Sequence, residues 1–171
     1  MIPIPTLETE RLIMRAPGQQ DLDAYADFYA SERSHMVGGP LTRIEVWRWL
    51  ASVIGHWQLR GFGRWMLDEK NGSTSIGLVG LHYPEGWPEA EIGWTMFSGE
   101  GKGYAFEAAQ AARRYAYDTL GWKTAVSLIN PANTRSLALG KRMGVTHDYD
   151  YEHPQFGTLA VWRHPSPEAL Q

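Results

Sequence analysis

Three glycines at alternate positions, Gly99, Gly101 and Gly103, are well placed to bind an anion. Glycine adopts positive φ readily and lets another molecule approach the backbone closely. An alanine-rich run from Tyr104 predicts a helix directly behind them. The first turn of a helix carries unpaired N–H groups and the positive end of the macrodipole. Segment 97–109 therefore predicts a phosphate-binding turn at a helix N-terminus.

The spacing around these glycines excludes two common phosphate loops. A P-loop needs Gly-Lys followed by Ser or Thr, whereas Lys102 is followed by Gly103. The dinucleotide-binding fingerprint needs its third glycine one residue later than Gly103. What remains is G-x-G followed by Tyr-Ala-x-Glu-Ala. A predicted strand over 89–97 leads into the turn and a helix leaves it, which is the context that a phosphate loop requires.

The predicted strand before the turn has a polar and an apolar face. Alternation places Glu89, Glu91, Gly93 and Thr95 on one face, and Ile92, Trp94 and Met96 on the other. A glycine inside a strand predicts a bulge or the close approach of a ligand. Gly93 therefore marks a position where the strand could contact another molecule.

A second polar group lies on a predicted short helix over 131–143. Asn133 and Ser136 are three residues apart and share one helical face. Either Asn133 or Asn130 could instead cap the helix N-terminus, with Pro131 well placed after Asn130. The residues alone leave both roles open.

Segment 101–108, Gly-Lys-Gly-Tyr-Ala-Phe-Glu-Ala, resembles the acyl-CoA pyrophosphate loop of the GNAT superfamily of N-acyltransferases, and most of all its RimJ/RimL-type branch. The resemblance includes Glu91-Ile92-Gly93-Trp94 on the preceding strand. It continues through 130–136, Asn-Pro-Ala-Asn-Thr-Arg-Ser, and ends at Lys141-Arg142-Met143-Gly144. Three motifs in the family's order and at its spacing cover most of the chain.

The resemblance implies direct transfer of an acyl group, above all acetyl from acetyl-CoA, to a primary amine without a metal. That amine would be a protein N-terminal α-amine or an amine of a small molecule. The implied CoA-binding residues are Gly99, Gly101, Lys102, Gly103, Tyr104 and Ala105 in the turn, and Trp94, Thr95 and Met96 on the strand. The resemblance also implies that the Asn133 amide holds the pantetheine arm and that the Ser136 hydroxyl meets the departing thiolate.

Glu91 is the first candidate for the general base, acting directly or through water, because it would face the implied cleft. Glu85, Glu89 and His82 are alternatives, and an ordinary surface carboxylate is the competing role for Glu91. Deprotonating a lysine-like amine of pKa about 10.4 costs roughly 4.6 kcal/mol at pH 7, against about 1.1 kcal/mol for an α-amine near 7.8. An α-amine would therefore need little help from a base.

The sequence departs from the family pattern at three positions. Gly140 stands where many relatives place a tyrosine general acid, Val145 replaces an aromatic residue, and Ser98 replaces the usual leading Gln or Arg. The missing tyrosine leaves Ser136 or solvent to protonate the thiolate. It also permits a second hypothesis, a catalytically silent acyl-CoA-binding sensor or interaction module. A third is a binder of some other phosphate compound.

The elements that would position these residues follow the order β-α-α-β-β-β-α-β-α-β-β. Strands are predicted over 11–15, 63–69, 73–83, 89–97, 122–129, 145–152 and 157–163, and helices from 21, from 42, over 103–119 and over 131–143. The implied architecture is α/β (α+β), a single domain over 1–171. Its mixed, mostly antiparallel sheet of about seven strands splays between the fourth and fifth, and about four helices flank it.

Composition limits the remaining function classes. The 171 residues include no cysteine, which excludes thiolate catalysis and zinc–cysteine sites. Net charge is −3, yet 101–144 carries seven Lys or Arg against two Asp or Glu, which favours a local polyanion such as CoA over nucleic acid. The N-terminal segment has no leader pattern and no apolar run could span a membrane, which predicts a cytoplasmic protein.

Acceptor choice is expected to depend on the loop over 33–41 and on the second helix. Eight tryptophans is a high number for this length. Core packing is the first expectation for any one of them, and an aromatic acceptor pocket or a dimer surface is the alternative. The protein is expected to be a monomer or a homodimer.

Overall fold

The computed structural model describes residues 3–170. Met1 and Ile2, part of the N-terminal segment considered above, and Gln171, the end of the predicted domain, lie outside the described residues. The strands are β1 (Leu7–Glu8), β2 (Leu12–Arg15), β3 (Arg64–Glu69), β4 (Ser75–His82), β5 (Glu91–Met96), β6 (Val126–Ile129), β7 (Thr146–His153) and β8 (Gly157–Arg163). The α-helices are α1 (Leu22–Tyr29), α2 (Arg43–Arg60), α3 (Tyr104–Arg114) and α4 (Thr134–Arg142).

The strands form one eight-stranded sheet in the order β1-β2-β3-β4-β5-β6-β8-β7. Every neighbouring pair is antiparallel except β5 and β6, which are parallel. The predicted α/β class and mixed, mostly antiparallel sheet are therefore confirmed. The predicted seven strands were one too few, because the two-residue β1, which pairs Leu7 with Met14, is too short to produce an alternating pattern.

The sheet opens between β5 and β6, the fourth and fifth strands of the prediction. The two strands share a single register pair, Glu91 with Val126, and the Val126 N–H donates to the carbonyl of Ala90 at 3.1 Å. Beyond this point a side chain replaces the backbone ladder, since Ser127 Oγ donates to the carbonyl of Ile92 at 2.7 Å. The predicted splay is confirmed, and it leaves a gap through the sheet.

Helices cover both faces of the sheet. Helices α1 and α2 pack on one face, where Tyr25, Val46 and Leu50 belong to one buried cluster with Phe97. Helix α3 packs on the other face through consecutive small residues, Ala108, Ala109, Ala111 and Ala112, all buried. Small side chains let this helix lie close to the strands, so its N-terminus is held at the end of β5.

Local signals set the helix ends. Thr42 and Glu45 form the predicted capping box of α2, with Glu45 Oε2 accepting from the Thr42 N–H at 2.7 Å. Gly61 ends that helix in the left-handed region, at φ 77°. Among the described residues, none of the helices combines the length and apolarity needed to cross a bilayer.

Candidate active site

A cleft of about 460 Å³ passes through the gap between β5 and β6. Its lining includes Glu91, Gly93, Trp94 and Thr95 from β5. Asn133 and Ser136 line it from the start of α4. The structure therefore brings together both predicted catalytic residues and four of the predicted cofactor-binding residues, with Ser136 in both sets, whereas Met96 and the glycine turn lie outside this lining.

Glu91 lies at the floor of the cleft, with a side chain only 6% exposed. Its Oε1 accepts from the backbone N–H of Leu128 at 3.1 Å, and its Oε2 accepts from the indole N–H of Trp87 at 2.8 Å. Burial raises the pKa of Glu91, and the nearby Arg64, with Nη2 3.9 Å away, opposes that rise. A buried cleft carboxylate with a raised pKa has the properties that a general base requires.

The alternative bases differ in position. Glu89 lies outside the cleft, because it pairs with Arg163 at 2.7 Å and accepts from Tyr149 Oη at 2.8 Å. Glu85 lies on the rim and is fully exposed. His82 lines the cleft beside Glu91, its register partner, and burial lowers its pKa well below the usual value. His82 is therefore a neutral neighbour of Glu91.

Asn133 and Ser136 are joined by a hydrogen bond at the N-terminus of α4, and this gives Asn133 the capping role considered above as its alternative. Asn133 Oδ1 accepts from the Ser136 backbone N–H at 3.1 Å, so Asn133 is the N-cap of α4. The cap uses the amide oxygen and leaves the Nδ2 donors for a ligand. Ser136 Oγ accepts from the Trp94 indole N–H at 3.2 Å, which orients the hydroxyl at the cleft wall.

Two departures from the family pattern contact each other. A Cβ added at Gly140 would lie 3.1 Å from Val145 Cγ2 and 3.5 Å from Ile129 Cδ1. Gly140 is buried at this contact. A larger residue at this position would therefore press against Val145, the residue that stands where the family has an aromatic side chain.

The glycine turn has the conformation predicted from its spacing. Gly99, Gly101 and Gly103 all have positive φ, at 72°, 84° and 82°. A Cβ at Gly101 would meet nothing within 4 Å, so the turn borders open space. The first α3 amide with a helical acceptor is that of Glu107, which donates to the Gly103 carbonyl at 3.1 Å. The backbone N–H groups of the first turn of α3 before Glu107 have no helical acceptor, and unpaired N–H groups of this kind can bind a diphosphate.

The charged residues around this turn are mostly paired with each other. Lys102 Nζ lies 3.4 Å from Glu69, and Arg11 binds Glu107 at 2.7 Å while donating to the Lys102 carbonyl at 2.9 Å. Beside the turn is a depression of about 450 Å³ whose lining includes Arg11, Lys102, Arg114 and Arg142. This agrees with the basic segment seen in the sequence.

Sequence reasoning did not single out two residues that shape the floor of the cleft. Trp87 holds Glu91, and no pattern around Trp87 indicates that bond. Arg64 lies above Gly93, where an added Cβ would be 3.1 Å from Arg64 Nη2 and 3.4 Å from Glu91 Oε1. A signal for Arg64 existed, because alternation along β3 places it on the same face as the buried Met66.

Aromatic side chains line the outer part of the cleft. Trp87 lies 5.1 Å from His153 and 6.2 Å from Phe156, ring centre to ring centre. Phe156 and Trp49 converge at Gly38, where an added Cβ would approach them to 3.0 and 2.8 Å. We call Trp49, Trp87, His153 and Phe156 the aromatic wall, and two of its four members are among the tryptophans considered above.

Comparison with known proteins gives a consistent result. A family model described as an acetyltransferase (GNAT) domain matches residues 11–146. An acetyltransferase from Agrobacterium tumefaciens str. C58 superposes with a TM-score of 0.87 at 38% identity, over 96% of each chain.

More distant structures share the fold. RimL, a ribosomal L7/L12 alpha-N-protein acetyltransferase solved with coenzyme A, matches with a TM-score of 0.75 at 17% identity, over 94% of this chain and 97% of that chain. An acetyl transferase from Salmonella typhimurium described as modifying the N-terminal serine of L7/L12 matches with a TM-score of 0.73 at 16% identity, over 91% and 95%.

Proposed function

The chain belongs to the GNAT family of acetyltransferases, and from that membership we propose that it transfers acetyl from acetyl-CoA to a primary amine. The observation that carries the proposal is the alignment of three features along one path. The glycine turn lies at the end of β5, the gap opens beside that strand, and Glu91 lies at the floor of the gap. An acyl donor held at the turn would extend along β5 toward the carboxylate.

Acetyl-CoA supplies an activated thioester carbonyl when it is bound. The acceptor nitrogen bonds to that carbonyl carbon, the carbon–sulfur bond breaks, and the products are an N-acetyl amide and the free thiol. Glu91 takes the proton that the nitrogen gives up. The backbone N–H groups of the splayed part of β5 are the donors available to polarise the carbonyl oxygen.

The environment of Glu91 suits this task. Trp87 and Leu128 fix both carboxylate oxygens, so the group enters the reaction already oriented. Each oxygen keeps a further lone pair that can accept the proton. Because burial raises the pKa of Glu91, its conjugate acid is more stable than that of an exposed glutamate, which favours proton uptake from an amine.

Ser136 is the group placed to assist departure of the thiolate. Its hydroxyl oxygen already accepts from Trp94, so its own proton remains available for a second partner in the cleft. Because residue 140 is a glycine, no tyrosine takes this role in its usual place. Ser136 or solvent therefore returns the proton that sulfur needs.

The proposal is tested by mixing the protein with acetyl-CoA and a panel of primary amines and following free thiol. Release that depends on the amine, together with the N-acetyl product by mass spectrometry, is the expected result. Thiol release without any amine, or none with the whole panel, would overturn the proposal.

The glycine at position 140, where relatives have a tyrosine, favours a second candidate, an acyl-CoA-binding sensor of the same fold without turnover. Such a protein would be stabilised by acetyl-CoA in a thermal-shift experiment and yet release no thiol with any amine. Stabilisation by ATP or NAD but not by acetyl-CoA would instead point to another phosphate ligand.

A further inference from the structure

Arg64 lines the cleft with a guanidinium whose hydrogen bonds are incomplete. Its Nε is buried and has no hydrogen-bond partner within residues 3–170. Its ion pair with Glu91 spans 3.9 Å, which is too long for a hydrogen bond. A buried guanidinium normally binds a carboxylate through two parallel hydrogen bonds, so this side chain retains donors for an anion that the chain does not supply.

Arg64 and Glu91 lie side by side over Gly93, in the volume that a longer β5 side chain would occupy. The Cβ that Gly93 lacks would lie 3.1 Å from Arg64 and 3.4 Å from Glu91. Both side chains line the cleft, so a ligand that lies beside this pair can contact a cation and a carboxylate at once. An α-amino acid carries its amine and its carboxylate on one carbon, so it matches two opposite charges this close together.

The aromatic wall continues from this point outward. Trp87 is the connecting residue, since its N–H holds Glu91 and its ring faces His153 at 5.1 Å. Phe156 lies against His153 with 4.6 Å between the ring centres, and Trp49 lies on the other side near Gly38. An apolar or aromatic group attached to the amine-bearing carbon would lie against these rings.

We propose that the acceptor is a free α-amino acid with an aromatic or large apolar side chain, whose carboxylate binds Arg64 and whose amine faces Glu91. This rests on the proposed function and names its acceptor class. A polyamine fits less well, because Arg64 repels its second cation. A protein N-terminus offers an amide where Arg64 requires a carboxylate, so it leaves the guanidinium unsatisfied.

The experiment compares matched acceptors on the full chain with acetyl-CoA. Phenylalanine, phenylalaninamide, 2-phenylethylamine, glycine and a peptide with N-terminal phenylalanine differ in the carboxylate, the ring or both. A charge-assisted hydrogen bond discriminates by about 10- to 100-fold. We expect kcat/KM for phenylalanine to exceed that for 2-phenylethylamine and for the amide by that factor, and to exceed that for glycine.

Variants separate the carboxylate contact from differences in amine basicity. Arg64→Gln alters the surroundings of Glu91 for every acceptor, so the informative quantity is the ratio of kcat/KM for phenylalanine to that for 2-phenylethylamine. We expect this ratio to fall about 10- to 100-fold in Arg64→Gln and partly to recover in Arg64→Lys. Arg60→Gln is the matched control, since Arg60 pairs with the exposed Glu85 at 3.6 Å and does not line the cleft.

The outcomes distinguish this inference from the proposed function. Thiol release with amines but a wild-type ratio near one overturns the amino-acid acceptor and leaves acetyl transfer standing. An equal rate with glycine overturns the requirement for an apolar side chain. If no amine releases thiol, calorimetric titration of phenylalanine into the CoA-bound protein decides, and binding that is absent or unchanged by Arg64→Gln overturns the inference.

Discussion

Replacing Glu91 with Gln removes the titratable oxygen from the floor of the cleft and keeps the volume of the side chain. General bases contribute about 10²- to 10⁴-fold to rate. A chain-terminal α-amine of pKa near 7.8 is already partly neutral at pH 7, so for it we expect the lower end, a loss of about 10²-fold in kcat/KM, or about 2.7 kcal/mol. The amine of a free amino acid is more basic, because its own carboxylate stabilises the ammonium, so the loss with phenylalanine should be larger. Acetyl-CoA affinity should change little, because the glycine turn is untouched.

The pH dependence makes the test specific. Because burial raises the pKa of Glu91, wild-type kcat/KM should fall as pH drops through that raised pKa. The Gln variant should lose this acidic limb. The measurement is thiol release from saturating acetyl-CoA across about pH 5 to 9.

Glu89→Gln is the matched control for this substitution. It removes a nearby carboxylate that binds Arg163 and Tyr149 outside the cleft. Its activity profile should keep the acidic limb. An unchanged profile in Glu91→Gln, or the same loss in both variants, would refute the assignment of Glu91 as the base.

The same raised pKa predicts a change in stability. The folded state binds a proton at Glu91 more tightly than the unfolded chain, whose pKa is near 4.5. This tighter proton binding stabilises the folded state fully at pH values below the unfolded pKa. The stabilisation is lost as pH rises through the raised pKa of Glu91 in the folded state. The free energy of unfolding of wild type minus that of Glu91→Gln should therefore decrease between about pH 4 and pH 8 in urea titrations. An increase would contradict the burial argument.

Three further substitutions test other parts of the site. Gly103→Asp should abolish binding of acetyl-CoA, measured by calorimetry, because it places a carboxylate at the proposed anion-binding turn. Gly121→Asp, at a glycine with a similar φ of 71°, is the control for backbone strain. Retained affinity in Gly103→Asp would refute the assignment of the turn to phosphate binding. Trp87→Phe removes the N–H that stabilises ionised Glu91, so the acidic limb of the rate profile should move to higher pH, and a shift to lower pH would oppose that role. Ser127→Ala should lower the free energy of unfolding by about 1–3 kcal/mol in denaturant titrations, because it leaves the buried Ile92 carbonyl without its side-chain donor. Ser52→Ala, which removes only an exposed hydrogen bond to the Trp49 carbonyl, should cost less. Equal losses would count against the role of Ser127 in joining β5 and β6.

Ser127 belongs to a polar network that the sequence did not reveal. His164 Nε2 lies 2.9 Å from Ser127 Oγ, and its Nδ1 lies 3.4 Å from Arg113. Burial lowers the pKa of His164 to about 3, so the ring is neutral. Because the Ser127 hydroxyl donates its hydrogen bond to the Ile92 carbonyl, His164 Nε2 must be the donor to Ser127 Oγ. His164 Nδ1 then accepts from Arg113. This network holds the strands where their backbones no longer pair.

Features that depend on short spacing could be predicted from the sequence. The glycine turn, the capping box at Thr42 and the alternation that turns Glu91 toward the gap each involve residues within a few positions of one another. The sequence shows that Gly140 and Val145 both differ from the family pattern. It could not predict that these two residues lie against each other, because no pattern in the sequence indicates that contact. The two-residue strand β1 was missed for lack of any pattern.

The sequence by itself determined the family, the order of the elements, the glycine turn with positive φ and the identity of the cleft carboxylate, because local periodicity and motif spacing encode these. Only the tertiary structure decided that Trp87 holds Glu91, that Arg64 lies unsatisfied beside it, and that Trp49 and Phe156 meet across the cleft. The physical reason is that these contacts join segments distant along the chain. Their distances depend on how the sheet and helices pack, which a linear pattern does not record.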